Sequence, residues 1–107
     1  MAMPTTEEIL EALKEIYDPE IPVNIVDLGL IYGVEVDEDN KKVKITMTLT
    51  APGCPLANYL VDLVRARVGR FDDVEDVEVE LTYEPPWSMD RISEEGRKIL
   101  RMYGYDI

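Results

Sequence analysis

One side chain in this 107-residue chain is both a strong nucleophile and a soft metal ligand: Cys54, in the run Ala51-Pro52-Gly53-Cys54-Pro55. Downstream, Leu56, Tyr59, Leu60, Leu63, Val64 and Val68 form an apolar stripe at helical spacing that Gly69 closes. Pro55 suits the first position of that helix, so the thiol stands at or beside its N-cap. Unpaired backbone N–H groups and the positive end of the helix dipole there favour a thiolate, the form that binds metals and attacks electrophiles. Gly53 leaves room for a ligand to come close, while Pro52 and Pro55 stiffen the turn. The plain alternative for the same position is a buried cysteine acting as a small hydrophobe.

Three carboxylates, Asp18, Glu20 and Asp27, fall within the stretch Asp18 to Gly29. They are hard ligands and potential bases, but each also has a structural reading. Asp18 can close the first helix or bond its own turn, and Asp27, beside Leu28-Gly29, can brace a backbone nest. Thr50 lies four residues before the thiol, where its hydroxyl either faces the same pocket or caps the turn. Trp87 follows Pro85-Pro86 and suits a lid, a partner anchor or the core. Arg91 suits an ion pair with a loop acid, for structure or for function.

These residues need a scaffold, and the local pattern supplies one. Thr5 and Glu8 form a capping box, and Ile9, Leu10, Leu13, Ile16 and Tyr17 predict a helix that ends before Pro19. Two prolines and a glycine break the next stretch, which reads as a long ordered loop anchored by Ile21, Val23, Ile25, Val26 and Leu28. A hairpin follows. Leu30, Tyr32, Val34 and Val36 share one face with Val43, Ile45, Met47 and Leu49, while Glu35, Asp37, Lys42, Lys44, Thr46 and Thr48 face water.

After the cysteine turn and its helix, Val77, Val79, Leu81 and Tyr83 predict a third strand. A right-handed crossover makes it parallel to the second. A last helix, capped by Ser88 or Ser93, packs Ile99, Leu100 and Met102. The expected fold class is α+β, in the order α-β-β-α-β-α, as a single domain over 1–107. A hairpin and a crossover build a small mixed sheet with helices on one face.

Composition removes several function classes. Eleven basic against 23 acidic residues give a net charge of -12, which repels nucleic acid and anionic membranes. No apolar run is long enough to span a bilayer and the N-terminus shows no signal pattern, so a cytoplasmic protein is expected. With one cysteine and no histidine there is no internal disulfide, no common zinc set and no histidine-based triad. The phosphate-loop, Cys-x-x-Cys, His-Glu-x-x-His and Gly-x-Ser-x-Gly patterns are all missing.

Four segments stand in order: Asp18-Pro19-Glu20-Ile21-Pro22, Val26-Asp27-Leu28-Gly29-Leu30-Ile31-Tyr32, Thr48-Leu49-Thr50-Ala51-Pro52-Gly53-Cys54-Pro55 and Pro86-Trp87. Together they resemble the SufT and PaaD-like family of iron-sulfur cluster assembly factors, across nearly the whole chain. The resemblance implies a cytosolic accessory protein that helps mature or deliver clusters, with Cys54 as its reactive cysteine and Asp18, Glu20, Asp27 and Thr50 around it. It also implies iron-sulfur assembly machinery and recipient apo-proteins as partners, for which Trp87 and Arg91 are the candidate contact residues on their own chemistry.

A cluster normally takes four protein ligands, and this chain brings one thiolate. A transient cluster or iron would then be shared across a homodimer, or completed by carboxylates or a small thiol. The rival reading is a thiol-dependent enzyme with Cys54 as nucleophile and a loop carboxylate as base, since histidine is unavailable.

Overall fold

Val43, Ile45 and Met47 are wholly buried while Lys42, Lys44 and Thr46 alternate with them, a pattern that puts their strand at the centre of a sheet with one face in water. The computed structural model describes residues 3–18, 21–50 and 57–106. Its elements are α1 (Thr6–Leu13), β1 (Ile31–Asp37), β2 (Lys42–Met47), α2 (Ala57–Val68), β3 (Asp76–Leu81) and α3 (Glu94–Met102). A single 3-10 turn, Met89–Arg91, precedes α3. This is the expected α-β-β-α-β-α order.

The sheet order is β1-β2-β3. β1 runs antiparallel to β2, pairing Val36 with Val43 and Val34 with Ile45; the ladder slips between Ile31 and Gly33. β3 runs parallel to β2, pairing Val43 with Val77, Ile45 with Val79 and Met47 with Leu81, as the crossover requires. On the wet face Lys42 and Lys44 pair with Glu78 and Glu80 of β3, each at 2.9 Å. Opposite charges on neighbouring strands thus favour this register.

α1 packs against β1 and α2, and α2 against β3. Leu60, Val64 and Val68, spaced by four, are the buried edge of α2. Each contributes about 1.5–3 kcal/mol by leaving water. Arg67, in the last turn of α2, donates to both carboxylate oxygens of Glu15 at 3.2 and 3.0 Å and ties the helix ends together. Its guanidinium also lies 5.5 Å from the centroid of the Phe71 ring. Arginine is therefore required at that position for its fork as well as its charge.

The Thr5–Glu8 capping box is present, but α1 stops at Leu13, short of the predicted end before Pro19. The backbone leaves the helix because Glu15 and Ile16 donate three residues back, to Ala12 and Leu13, in a tightened last turn. The Ile16 carbonyl then accepts from Ile25, and Tyr17 bridges Asn24. Pairing with the loop satisfies groups that another helical turn would have used internally. Tyr17 is exposed there; Tyr59 on α2 and Met102 on α3, also expected on apolar stripes, are exposed as well.

α3 seats on the loop between α1 and β1. A Cβ on Gly96 would lie 2.8 Å from Ile92 Cγ2, 3.2 Å from the Asp27 carbonyl oxygen and 3.3 Å from Val23 Cγ1. Only glycine permits that approach without displacement. Ser93 caps α3 by accepting from the Gly96 amide, whereas Ser88 makes no side-chain cap on the preceding turn. No helix among the described residues is long and apolar enough to cross a membrane.

Candidate functional site

Asn24 organises the long loop. Its Oδ1 accepts from the Val26 and Asp27 amides at 3.0 and 2.9 Å, and its Nδ2 donates to Asp27 Oδ2 at 2.7 Å. A short amide side chain can hold its own turn in this way, and here it also orients the neighbouring acid. The other oxygen of Asp27 accepts from the Ser93 hydroxyl at 2.8 Å, and the Asp27 carbonyl accepts from the Ser93 amide. Asp27 is thus a clasp between the loop and the start of α3. Both of its carboxylate oxygens are engaged, so its evident work is positioning.

Asp18 is buried at the start of the same loop, where its Oδ1 accepts from the Ile21 amide at 3.2 Å and its own amide donates to Val23. A buried carboxylate is costly unless it is bonded, and these contacts hold the entry to the loop. Glu20 and Cys54 lie outside the described residues, as do Ala51 to Leu56, which hold the Pro55 start predicted for the second helix. Chain length alone keeps Cys54 within roughly 14 Å of Thr50.

Thr50 is half-buried at a bend just past β2. The strand end is joined to the loop by the Thr48 amide, which donates to the Leu30 carbonyl at 2.8 Å, and to the end of β3 by the Thr82 amide, which donates to Met47. Thr48 itself departs from the sequence expectation: placed on the wet face by alternation, it is fully buried. Its hydroxyl is the buried side-chain polar atom without a hydrogen-bond partner among the described residues. Alternation no longer applies there because Thr48 lies one residue past the end of β2, where its amide turns to the Leu30 carbonyl of the long loop.

The segment after β3 is pinned at three points. The Tyr32 hydroxyl donates to the Pro85 carbonyl at 2.7 Å, the Trp87 indole donates to the Leu28 carbonyl at 2.6 Å, and the Arg91 guanidinium stacks 4.7 Å from the Tyr32 ring centroid. Trp87 is half-buried and packs on the main core, so it is tied to the loop rather than projecting as a free lid. Arg91 takes an aromatic ring as its neighbour, and no described carboxylate pairs with it. Gly29 lies beneath, at φ +80, and a Cβ there would fall 2.5 Å from the Arg91 carbonyl oxygen.

The carboxyl end of β2 therefore lies beside the close of the long loop at Leu28–Leu30, with Thr48 and Thr50 on the strand exit and Trp87 and Arg91 on the segment that packs against Leu28 and Gly29. Ligand sites of open sheets with crossovers form at this end, where the loop from strand to helix leaves the sheet. Sequence patterning missed Asn24, Tyr32 and Thr48. The spacing Asn-x-x-Asp was the available sign of the first, while Tyr32 depends on Pro85 and Arg91, far along the chain, and Thr48 on its junction with the loop at Leu30. A more voluminous groove of about 600 Å³, lined by Glu7, Glu8, Glu11, Glu15, Arg67 and Phe71, lies between α1 and α2 and includes none of the predicted site residues. In it the Arg67 hydrogen bond holds the Glu15 carboxyl below its usual range.

Among the described residues, no group of three or more Asp, Glu, His or Cys side chains is placed to hold a metal ion.

Comparison with known proteins gives the geometry a context. A family model described as iron-sulfur cluster assembly protein matches residues 6–81. A Porphyromonas gingivalis protein named Fe-S protein maturation auxiliary factor is 50% identical over 86% of this chain and 87% of its own. The Bacillus subtilis Fe-S protein maturation auxiliary factor YitW is 47% identical over 81% of this chain and 84% of its own. A crystal structure of a DUF59 domain from Bacillus anthracis superposes with a TM-score of 0.84 at 36% identity, covering 90% of this chain and 91% of that one.

Proposed function

The chain belongs to the iron-sulfur cluster assembly protein family, and from that premise we propose that it is an accessory factor in the maturation of iron-sulfur proteins, acting on recipient apo-proteins through Cys54. The observation that supports this reading is the meeting of the loop's end at Leu28–Leu30 with Thr48 and the Trp87–Arg91 segment at the carboxyl end of β2, after which the sequence runs on through Thr50 to Cys54.

In this reading the acids support the loop and the thiol does the chemistry. Asp27, clasped by Asn24 and Ser93, keeps the loop in register with α3. Asp18 holds the start of that loop, and Glu20 adds an acid two residues on. Cys54 supplies the soft donor, and Thr50 a hydroxyl four residues before it in the chain. One thiolate falls short of the four protein ligands a cluster takes, so iron or a cluster is cargo, held jointly with thiols of a partner. The rival enzyme reading draws no support from Asp27, whose two oxygens are already bonded.

The test is maturation of an iron-sulfur enzyme in cells lacking this protein, complemented with wild type or Cys54→Ser. Wild type restores recipient activity and Cys54→Ser does not, with both proteins present at equal levels. Equal restoration by the two would overturn the assignment of Cys54. No restoration by wild type would overturn the maturation role itself.

A further inference from the structure

We propose that the groove between the start of β1 and the segment after β3 is a docking site for a carboxylate-bearing, apolar-flanked peptide segment of a partner protein. The groove, of about 440 Å³, is lined by Gly29, Ile31, Tyr32, Pro85 and Arg91. Identifying the partner as a recipient apo-protein rests on the maturation role proposed above; the binding chemistry does not.

Charge is the first reason. The chain carries 23 acidic and 11 basic residues, and Lys42, Lys44 and Arg67 are each taken up by a glutamate of the protein itself. Arg91 is exposed, has its guanidinium over the Tyr32 ring, 4.7 Å from the centroid, and pairs with no carboxylate among the described residues. A ring contact uses none of the guanidinium N–H donors in a hydrogen bond to a carboxylate, the contact in which arginine binds most strongly. In a molecule whose field repels anions, a carboxylate is retained only where local contacts oppose that field, which makes the groove selective.

Shape is the second. Ile31, Pro85 and the Tyr32 ring give the groove apolar walls, so the ligand needs an apolar group beside its acid. The walls are also preset: the Tyr32 hydroxyl is bonded to Pro85, and Gly29 admits the Arg91 backbone where any Cβ would collide. Little ordering is therefore left for the moment of binding.

Trp87 is the only tryptophan and is bonded to Leu28 beside the groove, so its emission reports occupancy. The probe is a blocked peptide centred on Ile-Glu-Ile, with an Ile-Gln-Ile twin, titrated into the full chain with calorimetry in parallel. The glutamate peptide binds about tenfold more tightly than its twin, as expected for one charge-assisted contact. Raising the salt from about 0.05 to about 0.5 M erases that difference. Arg91→Met, which keeps the aliphatic stem over Tyr32, abolishes the preference, and Cys54→Ser retains it. No binding to wild type, equal affinity for the two peptides, a salt-independent preference, or a preference that survives Arg91→Met would each overturn the site. Because neither peptide carries iron or a thiol, a failed maturation assay leaves this result standing, and a failed titration leaves the maturation role standing.

Discussion

Ser93 donates its hydroxyl proton to Asp27 Oδ1 at 2.8 Å while accepting the Gly96 amide at 3.0 Å, so one side chain both caps α3 and fastens it to the loop. Cutting this clasp from either side should cost similar amounts. Asp27→Asn and Ser93→Ala are each expected to lose about 1–3 kcal/mol, the range for partly buried bonds to a charged group. Chemical denaturation of both variants and of the double variant checks this. The double should lose clearly less than the sum, and full additivity would show that the two residues act independently.

Gly29→Ala puts a Cβ at φ +80 and against the Arg91 backbone. Strain of this type costs about 1–3 kcal/mol before any collision is counted. The expected result is a melting temperature lower by at least about 4 °C. Near-UV dichroism should also show a disturbed Trp87, because the segment above Gly29 carries the indole bonded to Leu28.

Thr48→Val tests the unpartnered hydroxyl. Replacing a buried, unbonded hydroxyl with a methyl of similar shape removes a desolvation cost, so the variant should be more stable by about 1 kcal/mol. Urea unfolding measures it. A loss of stability would mean that the hydroxyl has a partner in solution.

Arg67 and Glu15 predict a dependence on pH. The folded pKa of Glu15 lies below its unfolded value, chiefly because Arg67 bonds the ionised form. The folded state thus binds fewer protons at this site, and the pair's stabilisation is present above the ordinary carboxylate pKa of about 4.3 and fades as the pH falls through the lower folded value. In Arg67→Met, a carbon-detected titration of the side-chain carboxyl should show Glu15 returning toward the ordinary value. The acid limb of stability should become correspondingly shallower. An unchanged Glu15 titration would show that Arg67 is not the cause.

Much of the fold was legible because it repeats. The Thr5–Glu8 box, the alternation of Val43, Ile45 and Met47, and the four-residue spacing of Leu60, Val64 and Val68 each report which face of a local element leaves water. Gly53-Cys54-Pro55 marks a candidate chemical position by residue type alone. Segments with conspicuous composition, such as the loop from Asp18 to Gly29, were recognisable as ordered loops even without a period.

The tertiary structure decided what no period encodes. α1 stops at Leu13 because the Ile16 carbonyl finds Ile25 across the chain, and Thr48 is buried past the end of β2, where its amide bonds the Leu30 carbonyl. Arg91 meets Tyr32 and Asp27 meets Ser93, pairs separated by 59 and 66 residues and joined only when the sheet ends converge. Local spacing carries information about a residue's own element. Which groups share a site depends on how distant elements close around one core, and that is settled by the packing of the whole chain.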